Sequence, residues 1–303
     1  DHRHHRRTLR GPGVPGFRPR FFVSLDPVGA GDMRGLELPL TAEDSKHALR
    51  ALRLREGDEC EVVVVRASGA GGAGGAGGAA GTGGAMGPSG AGGAAVYAAT
   101  VSAAADPVRV RLGAPLEGAE EGREYRVEVG LAQALTRPAL IDHVVEKGTE
   151  VGASCYLLVH AAGSPTRPGL ARPDRMERWR RIAREAAKQS KRTAVPTVEA
   201  AGPLAEALEH PMTAGSMSLA LEPGASTTLQ QALLDWDGAG ASPRGEPSRV
   251  MLWVGPEGGW TPAEMQSFSG AGIVGVRLGR NVLRTETAGP VAVAVARLTL
   301  RDW

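Results

Sequence analysis

The sequence predicts an α/β protein: a parallel sheet covered by helices, preceded by a small β-rich domain. Three observations carry this reading. From Tyr125 onward, short aliphatic runs alternate with stretches of helical period, the pattern of strand–helix–strand units. Before that point a single helical stretch stands among several short strands. A glycine- and acid-rich segment at Gly113 to Gly122 separates the two patterns, and 303 residues leave room for two cores.

The first ordered element is expected at Arg20, with Phe21 to Leu25 as a strand. Leu40 to Leu54 reads as a helix: Thr41 can cap it, Asp44 suits its first turn, and Ala48, Leu49 and Leu52 form an apolar stripe. Gly57-Asp58 makes a turn into a β-branched strand, Cys60 to Val65. Residues 67–95 are almost pure Gly and Ala. They match a dinucleotide-type glycine pattern only because nearly every residue is Gly or Ala, and no helix follows, so they read as a surface insertion. Strands resume at Ala95 to Val101 and Val108 to Leu112.

The second half is expected to run as strand Tyr125 to Ala134, helix Ala139 to Val151, strand Cys155 to Val159 and helix Arg172 to Ser190. Strand Ser218 to Leu221, helix Thr227 to Asp235, strand Arg249 to Val254 and helix Pro262 to Ser269 follow. Strand Ile273 to Leu278 and helix Thr285 to Leu300 close the chain. The last helix carries an apolar stripe at Ala288, Val291, Ala292, Val295 and Leu298, which reads as core or dimer packing.

Bulk properties exclude several classes. Net charge is only +2, so its distribution matters more than its size. Residues 172–192 hold nine Arg or Lys against Asp174, Glu177 and Glu185, an excess suited to a phosphate backbone. Cys60 and Cys155 are the only cysteines, which excludes a CxxC zinc ribbon or redox pair and fits a reducing compartment. No apolar run reaches membrane-spanning length. Residues 1–19 include five of the six arginines in the first twenty residues and a single acid, Asp1, and read as a disordered leader, the remnant of a transit peptide. Its His2, His4 and His5 belong to that leader, so no metal is expected. The leader and the insertion point to an organelle, chloroplast first, with a bacterial cytoplasm as the alternative.

Chemistry is expected at strand ends, because ligands of parallel sheets bind beyond the carboxyl ends of strands. Three such ends are unusual: Leu219 to Pro223 (LALEP), Met251 to Gly259 (MLWVGPEGG) and Val276 to Gly289 (VRLGRNVLRTETAG). In the second, adjacent glycines permit positive φ and close backbone approach to a ligand, and Thr261, Pro262 and Glu264 promise a capped helix. No Gly-Lys-Ser/Thr follows, so the turn is not a nucleoside-triphosphate loop. In the third, Val282 and Leu283 are apolar loop residues that require a cover, and a flat adenine ring fits. Thr285 can cap the helix that follows and Glu286 suits its dipole.

GPEGG at Gly255 to Gly259, followed by LGRNVLRTETAG from Leu278, resembles the RsmE-type family of SPOUT methyltransferases. VEKGTEVG (Val145 to Gly152) and REAAKQSKRTAVP (Arg184 to Pro196) resemble two further segments of that family, with Glu146 in place of its usual Gln and Val151 in place of its usual Leu. RFFV from Arg20 and HALRALRLREGD from His47 resemble its N-terminal domain. The resemblance covers nearly everything beyond residue 20 except the insertion.

The resemblance implies an α/β-knot catalytic domain at 123–303, with a C-terminal trefoil knot, and a PUA-like β-barrel RNA-binding domain at 20–115. It implies S-adenosylmethionine as methyl donor, N3 of a uridine in small-subunit ribosomal RNA as acceptor, and a homodimer joined through the knot. Carried onto this chain, the donor lies among Leu219, Glu222, Gly255, Pro256, Glu257, Gly258, Gly259, Leu278, Gly279, Val282, Leu283 and Arg284. RNA contacts fall to Arg20, His47, Arg50, Arg53, Lys147, Arg172, Gln189 and Arg192. Lys147 also stands one turn from Glu150, the spacing of an ordinary surface ion pair.

Uracil N3 is a poor nucleophile until its imide proton leaves. Arg284 is expected to stabilise charge developing on the uracil carbonyls, and Glu286 or Glu257 to accept the proton. Arg284 and Glu286 also have a plainer reading, in which they pair with each other or cap the helix. A SPOUT enzyme acting on transfer RNA or on another ribosomal position, and a non-catalytic ribosome-assembly factor, are the competing functional readings.

Overall fold

The computed structural model describes residues 18–25, 32–66, 94–116, 124–165, 171–236 and 248–303. The leader through residue 17 and the Gly/Ala run lie outside the described residues, apart from Ala94 and Ala95, which open a strand. The described residues form two compact units, within 18–116 and 124–303.

The first unit is a five-stranded sheet in the order β1-β3-β4-β5-β2. Its strands are β1 (Arg20–Leu25), β2 (Glu37–Pro39), β3 (Glu59–Arg66), β4 (Ala94–Ala103) and β5 (Arg109–Pro115). β1 pairs with β3 in parallel and the other pairs are antiparallel. β1 and β2 are its edges and the sheet curls into a half-barrel, consistent with the PUA-like β-barrel domain expected. Its core is aliphatic: Val62, Val64, Val101, Val108 and Val110 are buried around Phe21 and Leu112.

The expected helix over Leu40 to Leu54 is shorter and changes pitch. Thr41 caps α1 (Ala42–Lys46) by accepting the Asp44 amide at 3.2 Å. The chain then widens into a π turn over His47–Ala51. β2 escaped the sequence reading because three residues ending in proline show no period.

The second unit is a six-stranded, wholly parallel sheet in the order β11-β9-β10-β6-β7-β8. Its strands are β6 (Val127–Ala134), β7 (Cys155–His160), β8 (Thr197–Pro203), β9 (Met217–Leu221), β10 (Ser248–Val254) and β11 (Val274–Val276). Every residue of β6 is buried, as expected of a central strand covered on both faces.

One face carries α2 (Pro138–Glu150), α3 (Pro173–Gln189), α5 (Leu229–Leu234) and α7 (Thr285–Thr299), packed through Ile141, Trp179, Leu233 and Val293. The other carries α4 (Leu204–Leu208) and α6 (Pro262–Gly270), packed through Ala207 and Phe268 against Trp253 and Trp260. α7 returns to pack on α2, α5, β6 and β10, the arrangement of the α/β-knot class. β8 and α4 were not read from sequence: β8 is an edge strand rich in Ala and Gly, and α4 is a five-residue helix with no side-chain cap.

The stripe read on α7 divides, with Ala288, Ala292 and Val295 in or against the core and Val291 and Leu298 facing out. Gly289, Ala292, Val293 and Ala296 are buried, whereas Val291 and Leu298 are exposed. Buried Gly289 and Ala296 lie outside the expected stripe because small residues let the helix sit close to the sheet.

Both cysteines are buried, and burial is the main force pushing each thiol up to about 12. The thiolate is the reactive form. Neither cysteine is therefore expected to react with a thiol reagent at pH 8 until the protein is unfolded, when both should react. Counting labelled thiols by mass before and after denaturation checks this.

Candidate active site

The switch in strand order places the site. From β6 the chain moves outward to β7 through α2 on one face. From β10 it moves the other way, to β11, through α6 on the opposite face. Loops leaving the adjacent ends of β6 and β10 therefore diverge and leave a crevice between them. The β10 turn is Gly255 to Gly259 and the β6 loop is Leu135 to Arg137.

The β10 turn is rigid. The Gly259 amide donates to the Pro256 carbonyl at 2.9 Å, and Gly259 takes a φ of +74°, which an L side chain rarely adopts. Thr261 caps α6 and Glu264 completes the capping box, as the sequence predicted. Glu264 also accepts the Ala162 amide at 2.7 Å. That bond ties the loop after β7 to the same turn. A Cβ on Gly163 would stand 3.0 Å from Pro256, so the two loops meet closely.

The other expected residues lie in the loops that follow β9 and β11. Glu222 follows β9 and accepts the Gly224 amide at 3.3 Å, while its own amide donates to Val276 at 2.9 Å, tying the ends of β9 and β11 together. Leu278 and Leu283 are half-buried, and Val282 is 76% exposed. Among the described residues, and apart from each glycine and its chain neighbours, no atom stands within 4 Å of where a Cβ would sit on Gly258, Gly259 or Gly279. Leu219 is a correction. It lies within β9, paired with Leu252, and its buried side chain belongs to the core rather than to a ligand.

Arg284 is exposed and N-caps α7 without a side-chain capping bond. Glu286 is half-buried in the first turn. Among the described residues no ion pair joins them, but Arg284 as the N-cap and Glu286 in the first turn fit the helix-capping half of their plainer reading. Thr285 is not the cap. It is the first helical residue, buried, and its hydroxyl donates to the Gly255 carbonyl at 2.6 Å. Glu257 stands 3.8 Å from the Nε of Arg137, a pair spanning the crevice.

Several residues here were missed in sequence. Gln133, Thr136 and Arg137 close β6, and Gln133 donates to Thr285 at 3.0 Å. Gln133 Oε1 and Thr136 Oγ1 are buried without a partner among the described residues. The only available signal was Gln133 at the end of a mostly apolar strand, with Thr136 and Arg137 just beyond it.

The expected RNA contacts divide. Arg50 and Arg53 are exposed, Arg53 at a φ of +53°, and His47 opens the π turn. Arg172 N-caps α3 and pairs with Asp174 at 3.3 Å, and Gln189 ends α3 exposed. Lys147 bonds Glu146 and Glu150, each at 2.9 Å, and these bonds raise it to about 12. Arg20 is a correction: it is only 10% exposed and pairs with Glu61, its neighbour across the β1–β3 ladder, at 2.9 Å.

Arg192 is the larger correction. It is 5% exposed, forked onto Glu124 at 2.7 Å, and donates to the Thr149 and Ala153 carbonyls. Burial lowers its pKa, but attraction and hydrogen bonding to Glu124 outweigh this and hold it above the ordinary arginine value. Arg192 ties chain segments together and is not available to RNA. Elsewhere in the basic run, Arg178 is held by Asp142 at 2.7 Å and buried Lys188 by Glu185 at 2.7 Å. Among the described residues no cluster of three His, Cys, Asp or Glu could hold a metal ion.

The profile of the RNA methyltransferase domain family matches residues 123–297, more than half of the chain. The ribosomal RNA small subunit methyltransferase E of Mycobacterium bovis is 36% identical over 182 residues, 59% of this chain and 66% of that protein. The protein of the same name from Synechocystis is 34% identical over 179 residues, 59% of this chain and 56% of that protein. The chain thus spans less than two thirds of the length of these relatives. In fold, it is similar to a ribosomal RNA small subunit methyltransferase E from Neisseria gonorrhoeae solved bound to S-adenosyl methionine. The two share 22% identity and a TM-score of 0.69, over 93% of this chain and 98% of the other. The chain belongs to the RNA methyltransferase domain family, and within it to the RsmE type.

Proposed function

We propose that this chain transfers a methyl group from S-adenosylmethionine to N3 of a uridine in small-subunit ribosomal RNA, and that it does so as a homodimer. One observation carries the reading. The turn after β10 and the loops after β9 and β11 come from neighbouring strands beside a crevice at the sheet's switch point. The names of its relatives, and the S-adenosyl methionine bound in the Neisseria structure, support the same chemistry.

The residues fit the donor. Open backbone at Gly258, Gly259 and Gly279 leaves room for a ligand to approach main-chain amides, and Val282 with Leu283 supplies an apolar rim for a flat ring. When bound, S-adenosylmethionine supplies an electrophilic methyl group. The protein's part is to orient the uracil and manage its imide proton. Arg284, exposed at the head of α7, offers a charged donor to the uracil oxygens. Glu286 or Glu257 takes the proton from N3. Arg50, Arg53, Arg172 and Gln189 offer exposed polar groups to the RNA. Exposed Val291 and Leu298 on α7 offer an apolar face to a second copy.

Mapping modified nucleosides by mass in small-subunit RNA from cells lacking the protein tests the reading. Loss of one 3-methyluridine is expected; an unchanged set of modified nucleosides contradicts it.

The Gly/Ala run bears on the same assay. Val65 pairs with Ala94 across the β3–β4 ladder. Deleting 69–93 leaves a connection of about three residues, a length that hairpins accept. The deletion variant is expected to keep wild-type methyl transfer, measured on small-subunit RNA with labelled donor. A large loss would place the run in contact with RNA or the second copy.

A further inference from the structure

Gln133 is fully buried in a strand whose other residues are mostly apolar. Its Nε2 donates to Thr285 Oγ1 at 3.0 Å, and that hydroxyl in turn donates a hydrogen bond to the Gly255 carbonyl at 2.6 Å. One chain of hydrogen bonds therefore links the end of β6, the first residue of α7 and the first residue of the β10 turn. These three segments are far apart in sequence and carry the crevice between them. The packing is close: a Cβ on Gly289 of α7 would stand 3.3 Å from Gln133 Oε1.

Apolar side chains of the same shape would fill this space without burying polar atoms. A buried polar chain instead selects one arrangement among several. The turn needs such selection, because Gly255, Gly258 and Gly259 give it freedom that side chains would remove. The Gly255 carbonyl is the point at which the turn is held from below.

We propose that Gln133 and Thr285 are positioning residues that fix the Gly255 carbonyl, and with it the Gly255–Gly259 turn, in the form that accepts the methyl donor. This inference rests on the S-adenosylmethionine reading of the site.

Three variants of the full chain test it. Thr285→Val keeps the branched shape and removes the hydroxyl, Thr285→Ser keeps the hydroxyl, and Gln133→Leu removes the other end. Calorimetric titration with S-adenosylmethionine is expected to show about ten-fold weaker binding for Thr285→Val and Gln133→Leu. Thr285→Ser is expected to bind like wild type, and kcat at saturating donor to change less than KM for the donor. Hydrogen exchange at the Gly258 and Gly259 amides is expected to speed up in Thr285→Val but not in Thr285→Ser. Unchanged binding and exchange in Thr285→Val, or equal damage from Val and Ser, would overturn the relay. Wild type failing to bind the donor would instead defeat the functional reading, and the exchange comparison would still decide the relay.

Discussion

Arg284→Ala is expected to lower kcat for methyl transfer by about 10²–10³-fold, the usual cost of removing a charged donor from a developing anion. Donor affinity is expected to fall far less, since the donor is proposed to rest on open glycine backbone and the Val282–Leu283 rim. Stability should not change: Arg284 is exposed and its side chain makes no capping bond to α7. Arg284→Lys should recover only part of the rate, because an ammonium lacks the planar fork that can address two points on the uracil edge. Single-turnover rates, donor titration and thermal melts on the same preparations separate these effects. Wild-type turnover in Arg284→Ala would remove Arg284 from the chemistry and leave Glu286 and Glu257 without a partner in it.

The second large effect is structural. Arg192→Ala is expected to cost about 3–5 kcal/mol, the range for breaking one side of a buried pair. For a unit of this size that lowers the melting temperature by roughly 10 °C. The reason is local. Removing the guanidinium leaves Glu124, itself only 14% exposed, without its partner, and strips two donors from the Thr149 and Ala153 carbonyls. The Tyr125 ring sits against both Arg192 and fully buried Arg297, so the loss reaches a second cation. Arg172→Ala, by contrast, removes an exposed side chain paired, among the described residues, with Asp174 alone, and its melting temperature should stay at the wild-type value. Equal melting of Arg192→Ala and Arg172→Ala would return Arg192 to the RNA-facing set.

Arg192 shows where sequence reading stops. In the chain it stands at the end of a basic run, and nothing local distinguishes it from Arg172. Its partner Glu124 lies 68 residues away, a distance no periodicity reports. Arg20 fails for the same reason, since Glu61 becomes its neighbour only once β1 and β3 pair. What was legible was local. The Thr261–Glu264 capping box, the proline at the start of α6 and the alternation of strands and helices all formed as the residue types dictate.

The candidate site was half legible. The glycines of the β10 turn and the loop after β11 announce backbone that a ligand can approach; the first borders the crevice, and Thr285, just beyond the second, is bonded to the first. The end of β6 was silent, because Gln133, Thr136 and Arg137 acquire meaning only when β6 and β10 lie side by side. Thr285 looked like a helix cap; its hydroxyl is instead turned to Gly255. The α7 stripe was read in part: Ala288, Ala292 and Val295 meet the core, but buried Gly289 and Ala296, which carry little hydrophobic signal, were missed.

The most direct measurement of the central claim is nucleoside analysis by mass after incubating the purified full chain with small-subunit ribosomal RNA, free or assembled, and methyl-labelled S-adenosylmethionine. Label in a single 3-methyluridine is the expected result. Label on another atom or another RNA, or no label from a preparation that binds the donor, would contradict it.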